Sequence, residues 1–306
     1  MTEESINEII QDMNVNVRRN ESGEAEPMAV ADMPRNTDEA QVDGGYTVDN
    51  SGAGEAERED NHINTIPETL DNQSTARISG APWFEGCKNT DIFIIGAGGI
   101  SSWTAMFLAR TYPQRMSITD GDKVSGVNMA GQFYRISDIG SRKADSLARN
   151  IQMFTDNRIF ISAYSYMVDE GSHFYGPDFV ISGVDSMRSR KRIWTALVRD
   201  NFRGIYIDGR LSAETLQILC VDMLSDTDRE VYEKTYLFDD EDADNTICSF
   251  KQTTYMAAMI GSLITNLVVN IINNKTNVLE YKVPFYTEYN SITTDLITLD
   301  TDGTRQ

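Results

Sequence analysis

Cysteine and histidine are both scarce in this 306-residue chain, with three of the first and two of the second. Cys87, Cys220 and Cys248 are widely spaced. They form no disulfide framework, and no C-x-x-C pair offers a zinc site. A reducing, cytoplasmic setting fits that usage. His62 falls in an acidic N-terminal stretch and His173 in a loop. Both are expected at the surface, so no Ser-His-Asp triad is expected. No basic segment precedes an apolar core at the start, and no secretory signal is expected. Positive charge is also short, with 27 Lys and Arg against 47 Asp and Glu and a net charge of −20. No nucleic-acid partner is expected of such a chain.

The negative charge is unevenly placed. Residues 1–72 carry 18 acidic against 4 basic side chains, a net of −14, which leaves −6 on the remaining 234. This polar stretch has few aromatics and cannot bury enough apolar area to offset its ordering entropy. It reads as a disordered acidic tail, either solvating or folding on a partner. Only Ile6 to Val17 is apolar enough for a transient helix. Residues 73–306 read as one domain.

One run, Tyr255 to Ile272, has the length of a short membrane span, which needs ~20 apolar residues. Ser262, Thr265, Asn266 and Asn270 interrupt it, and no Lys/Arg asymmetry flanks it. It reads as a helix buried in a core, with no membrane partner.

The most informative stretch is Asp91-Ile-Phe-Ile-Ile-Gly96-Ala-Gly98-Gly99-Ile-Ser-Ser102, followed by Asp120-Gly-Asp122. A buried parallel strand runs into a glycine turn, then a helix, then a second strand ending in an acid. Gly96, Gly98 and Gly99 let the backbone approach a phosphate, and the helix N-terminus aims free N–H groups at it. Asp120, 24 positions after Gly96, is placed to accept from ribose hydroxyls. Ser101 stands where the dinucleotide fingerprint has its third glycine.

Periodicity extends this unit. Strands are expected at Ile92–Ile95, Met116–Thr119, Ile159–Tyr164, Asp178–Gly183, Ile205–Asp208 and Leu216–Val221. Helices are expected from Ser101 to Arg110, from about Lys143 to Phe154 and from Ser189 to Arg199, and the tail Asn277–Leu299 reads as one or two strands. The fold class is α/β, Rossmann-like, a mainly parallel sheet with helices on both faces.

The loop after the second strand reads Asp120-Gly-Asp122-Lys-Val124, then Asn128-Met-Ala-Gly131-Gln132, then Gly140-Ser-Arg-Lys143. This ordered set resembles the ThiF/MoeB superfamily of ATP-dependent adenylating enzymes, relatives of ubiquitin-activating enzymes, with the pattern D-x-D-x-V, N-x-x-R-Q, G-x-x-K. The resemblance runs from about Arg77 to Asn273 and is most marked with phage-encoded members. It implies ATP over the glycine loop, with Asp120 on the ribose, and Asn128 and Gln132 on the phosphate region. Lys143 would offset phosphate charge. Asp185 matches the family's catalytic, magnesium-binding aspartate, although its position also suits a helix cap. Arg190 matches the arginine on the next helix. Arg77 matches an N-terminal arginine that reaches the partner's nucleotide in homodimers. The family's arginine before Gln132 is Gly131 here, and its zinc cysteine pairs are absent.

The implied activity is adenylation of the C-terminal carboxylate of a small ubiquitin-like protein or peptide, with ATP and Mg²⁺. Cys248 reads either as a thioester nucleophile or as a small, partly buried residue or a relic of a lost zinc site. Cys87 and Cys220 read as packing residues. A non-catalytic nucleotide-binding scaffold is the alternative that Gly131 keeps open, and an NAD-dependent oxidoreductase is the more distant one.

Overall fold

The computed structural model describes residues 74–155, 158–212, 214–238, 253–276 and 280–305. The acidic tail, His62, Cys248 and the acidic run Asp239–Asp244 lie outside the described residues.

Apolar runs and alternation build eight strands: β1 Asp91–Ile95, β2 Arg115–Thr119, β3 Phe160–Tyr164, β4 Phe179–Ser182, β5 Ile205–Ser212, β6 Thr215–Asp222, β7 Tyr286–Asn290 and β8 Asp295–Leu299. They form one sheet in the order β3-β2-β1-β4-β5-β6-β7-β8. The first five in that order run parallel, and β6 to β8 continue antiparallel. The sequence read β5 four residues too short. Alternation stops at Gly209, but the strand continues to Ser212 because it pairs with β6 as a hairpin.

Among the described residues the α-helices are α1 Phe84–Cys87, α2 Gly99–Ala109, α3 Lys143–Thr155, α4 Met187–Arg199, α5 Asp226–Val231 and α6 Thr254–Thr276. α2, α3 and α6 pack on one sheet face, against Ile92, Ile94, Met116, Ile118, Ile181 and Ile207. α4 covers the other with Ile193, Trp194 and Leu197, against Ile95, Val180, Tyr206 and Leu219. Successive strand residues thus feed opposite cores, as the two-residue period requires. α2 begins two residues earlier than expected, at Gly99 itself. Cys87 closes α1 just before β1 and Cys220 lies on β6, and both are buried as packing residues.

α6 passes the length and composition test for a membrane span, but half of its most apolar window is buried. Met256, Ile260, Ile264 and Val268 are fully buried in the core shared with α2. Each such side chain contributes about 1.5–3 kcal/mol by leaving water. Gly261 makes the close approach possible, since a Cβ there would sit 2.8 Å from the Thr104 backbone nitrogen on α2.

Candidate functional site

The strand register places the site. Ile95 is level with Thr119 on one side and Ser182 on the other, and Ser182 is level with Asp208. Gly96, Asp120 and Gly183 therefore leave the sheet from one edge, level with Gly209 of β5, which runs on to Ser212. Here β1 turns into α2 on one face while β4 leads to α4 on the other. That divergence is the crevice where open α/β sheets bind ligands.

Gly96 turns with φ +86°, a conformation a side chain would strain. The next amide, Ala97 N, donates to Asp120 Oδ2 at 2.7 Å, and Asp122 N donates to Oδ1 at 2.7 Å. The buried Asp120 carboxylate thus fastens the glycine turn to the β2 turn. Each oxygen keeps a further lone pair, enough for ribose hydroxyls. Among the described residues no side chain caps the N-terminus of α2, and a Cβ added to Gly98 would meet no heavy atom of them within 4 Å. The N–H end of an 11-residue helix therefore opens onto free space, which suits a phosphate.

The loop after β2 makes the second wall. Asn128 sits in a short 3-10 turn, and its Oδ1 accepts from Ser125 N at 2.8 Å and Ser125 Oγ at 3.0 Å. Its NH₂ group is the end left to a ligand. Gln132 Oε1 is buried without a hydrogen-bond partner among the described residues. Leaving such an acceptor unmet costs about 1–3 kcal/mol, which a ligand donor would recover. Tyr134 OH donates to Ala97 O at 2.7 Å and lies 3.3 Å from Lys143 O, so it ties the glycine turn to the start of α3. Burial first, then the carboxylates of Asp120, Asp138 and Asp122, raise its pKa and keep the phenol protonated. Lys143 is the first residue of α3, mostly buried, with Nζ 3.1 Å from Asp122 Oδ2. Where the resemblance expects an arginine, Gly131 offers only its carbonyl, which accepts from Trp103 Nε1 at 3.1 Å.

Asp185 follows β4 at the same edge and is exposed. It does not cap α4. Ser186 does, accepting from Ser189 N, so the capping alternative is set aside. Arg190 departs from the expectation for a nucleotide ligand. Its guanidinium is turned into the core, with Nε 3.0 Å from Asp208 Oδ1 and Nη2 2.6 Å from Val184 O. Arg77 lies exposed in the turn before α1, on none of the elements that build this edge. His173 is exposed and paired with Asp200 at 3.1 Å, away from the site.

Asp208 was missed from the sequence. It is fully buried and collects Arg190, Arg210 at 2.8 Å and Tyr232 OH at 3.0 Å. Burial alone would raise its carboxyl, but the two guanidiniums outweigh it and hold the pKa below the usual range. A signal was available. Tyr206, Asp208 and Arg210 alternate on the face of β5 that the pattern assigns to the core, and a buried acid needs a partner.

Residues 70–304 match the ThiF family. The chain belongs to the ThiF family. Curated relatives are shorter matches. The NEDD8-activating enzyme E1 catalytic subunit of Caenorhabditis elegans is 30% identical over 118 residues, 38% of this chain and 27% of the relative. The tRNA threonylcarbamoyladenosine dehydratase of Escherichia coli is 29% identical over 120 residues, 38% of this chain and 45% of the relative. This ThiF-family chain thus spans less than half the length of the curated relatives it matches. Among solved structures, PaaA superposes with a TM-score of 0.57 at 17% identity, covering 78% of this chain and 76% of PaaA. The structure of E. coli MccB with ATP gives 0.54 at 16%, covering 72% of this chain and 66% of MccB. These structures share the fold.

Proposed function

We propose that this ThiF-family protein is an ATP-dependent adenylating enzyme acting on the C-terminal carboxylate of a small protein or peptide. The observation that carries the reading is the uncapped N-terminus of α2, open above Gly98, beside the buried Asp120 carboxylate. A phosphate and a ribose fit those two features together. The relatives include NEDD8-activating subunits, and MccB has been solved with ATP and with MccA. A ubiquitin-like protein or a short peptide is accordingly the substrate class proposed here. Family membership leaves the oxidoreductase alternative without support.

In this reading Asp120 holds the ribose, and the α2 amides and the Asn128 NH₂ hold the phosphates. The substrate carboxylate oxygen attacks the α-phosphorus. The bond from that phosphorus to the bridging oxygen breaks, and pyrophosphate leaves with the electron pair. A carboxylate is already nucleophilic at pH 7, so no general base is needed, which suits a chain with two histidines. Among the described residues no three His, Cys, Asp or Glu side chains are grouped to hold a metal. Mg²⁺ commonly uses one or two carboxylates together with substrate phosphates, and the exposed Asp185 fits that role. When bound, Mg²⁺ supplies charge neutralisation for the departing pyrophosphate. Lys143 supplies a second cation once its Nζ leaves Asp122. Arg77 would act across a homodimer, since its own exposed turn lies off the site edge. A cytoplasmic location belongs to the same proposal.

The second reading, a scaffold that binds nucleotide without turnover, is favoured by one observation: Gly131 contributes no charge where an arginine is expected. ATP–pyrophosphate exchange with candidate carboxyl peptides separates the two. Exchange that falls by orders of magnitude in Asp185→Asn, with nucleotide binding retained, supports the enzyme. Nucleotide binding without exchange across the peptides tried supports the scaffold.

A further inference from the structure

The carboxyl edge carries a buried charge cluster that the adenylation reading does not use. Asp208 on β5 is fully buried, and its two oxygens serve three donors. Oδ1 accepts from Arg190 Nε at 3.0 Å, and Oδ2 accepts from Arg210 Nε at 2.8 Å and Tyr232 OH at 3.0 Å. Each arginine also reaches a backbone carbonyl. Arg190 Nη2 donates to Val184 O at 2.6 Å, and Val184 is the residue before Asp185. Arg210 Nη2 donates to Tyr236 O at 2.9 Å. Tyr232 and Tyr236 are the first and last residues of a π-helical turn, so Asp208 holds that turn at both ends. π turns are rare and concentrate at functional sites. Tyr232 is fully buried against Trp194, with ring centroids 4.8 Å apart, and against Tyr206 at 5.5 Å.

Two guanidiniums on one carboxylate cost desolvation that apolar packing would avoid, so stability alone is a poor reason for the cluster. Its geometry supplies another. Asp185 is exposed and has no described partner to fix it. On the helix side its backbone is held by the Ser186 cap, and on the strand side by the bond from Arg190 to Val184 O. Arg190 is itself aimed by Asp208, because Nε and Nη2 of one planar fork engage the carboxylate and the carbonyl together.

We propose that Asp208 is a positioning residue: through Arg190 it fixes the Val184–Asp185 strand end, and through Arg210 and Tyr232 it locks the Tyr232–Tyr236 turn to the same carboxylate. The Asp185 arm of this inference rests on the adenylation reading. The backbone restraint does not.

The test uses the full chain and Arg190→Lys, which keeps a cation beside Asp208 but removes the fork that reaches Val184 O. Hydrogen exchange of the Gly183–Asp185 amides is expected to quicken about tenfold, as a local opening freed of one restraint would. The Mg²⁺ concentration for half-maximal pyrophosphate exchange should rise, with the ATP KM unchanged. In the Asp185→Asn background, Arg190→Lys should add no further loss, because coupled residues are non-additive. Tyr232→Phe, a milder change that leaves both ion pairs, should quicken amide exchange in the turn alone. Unchanged exchange at 183–185 in a folded Arg190→Lys protein overturns the inference. Additive losses with Asp185→Asn overturn its catalytic arm. If the wild type shows no pyrophosphate exchange at all, the adenylation reading fails, and the amide exchange still decides the restraint. If Arg190→Lys does not fold, the turn amides of Tyr232→Phe decide instead, and no quickening there counts against the lock.

Discussion

Asp138 holds the loop that carries the site's second wall, and replacing it should have a pH-dependent cost. The side chain is 1% exposed and accepts from Asn150 Nδ2 at 2.7 Å, Arg135 N at 2.9 Å, Arg149 at 3.1 Å and Arg135 Nη2 at 3.2 Å. Burial alone would raise its pKa, but the hydrogen bonds from Asn150, Arg135 and Arg149 together bring it down to about 2 from an ordinary 3.8. A folded pKa below the unfolded one adds stability above the unfolded value, and that stability is lost as pH falls through the folded value. The shift corresponds to about 2 kcal/mol at neutral pH. Asp138→Asn keeps the shape and removes the charge. Urea unfolding at pH 7 and pH 5 should show the variant less stable by about 2 kcal/mol, with an unchanged slope. The gap should close between about pH 4 and pH 2, where the wild type loses the same contribution. A gap that stays constant down to pH 2 would refute the reasoning, because the cost would then come from shape and not from the carboxylate.

Gly261→Val should lower stability by about 1–3 kcal/mol or more in the same assay, because the added carbons meet the α2 backbone near Thr104; no loss would mean α6 and α2 are not closely seated. Arg77→Ala and Asp185→Asn, each inactive alone, should regain partial pyrophosphate exchange when mixed if Arg77 acts across a dimer, and no recovery removes that role. If Cys248 is an acyl acceptor, wild type with a carboxyl peptide and ATP should form a reductant-sensitive adduct that Cys248→Ala lacks; full onward transfer by Cys248→Ala makes the cysteine structural.

The parallel half of the sheet was legible because β1 and β4 are short apolar runs and β2 alternates, closed by Gly96, Gly183 and Asp120, signals that are local in sequence. The hairpin extension of β5 was not, since Gly209, Arg210 and Ser212 carry no strand propensity and are held there by pairing with β6. Asp120 lies on the expected edge, and the structure adds that its carboxylate already secures two backbone amides. Arg190 could not be placed from spacing alone. An arginine early in a helix after a strand can turn toward the edge or into the core, and the choice depends on Asp208, 18 residues away in sequence and on a different strand. Asn128 shows the same limit, because its oxygen closes its own turn.

Titration calorimetry on the full chain with Mg-ATP, and separately with NADH, tests the central claim most directly. The account predicts that Mg-ATP binds, that NADH does not, and that Asp120→Asn weakens Mg-ATP at least about tenfold by removing the charge-assisted bonds to ribose and to the Ala97 and Asp122 amides. Binding of NADH without ATP, or full ATP affinity in a folded Asp120→Asn protein, would contradict it.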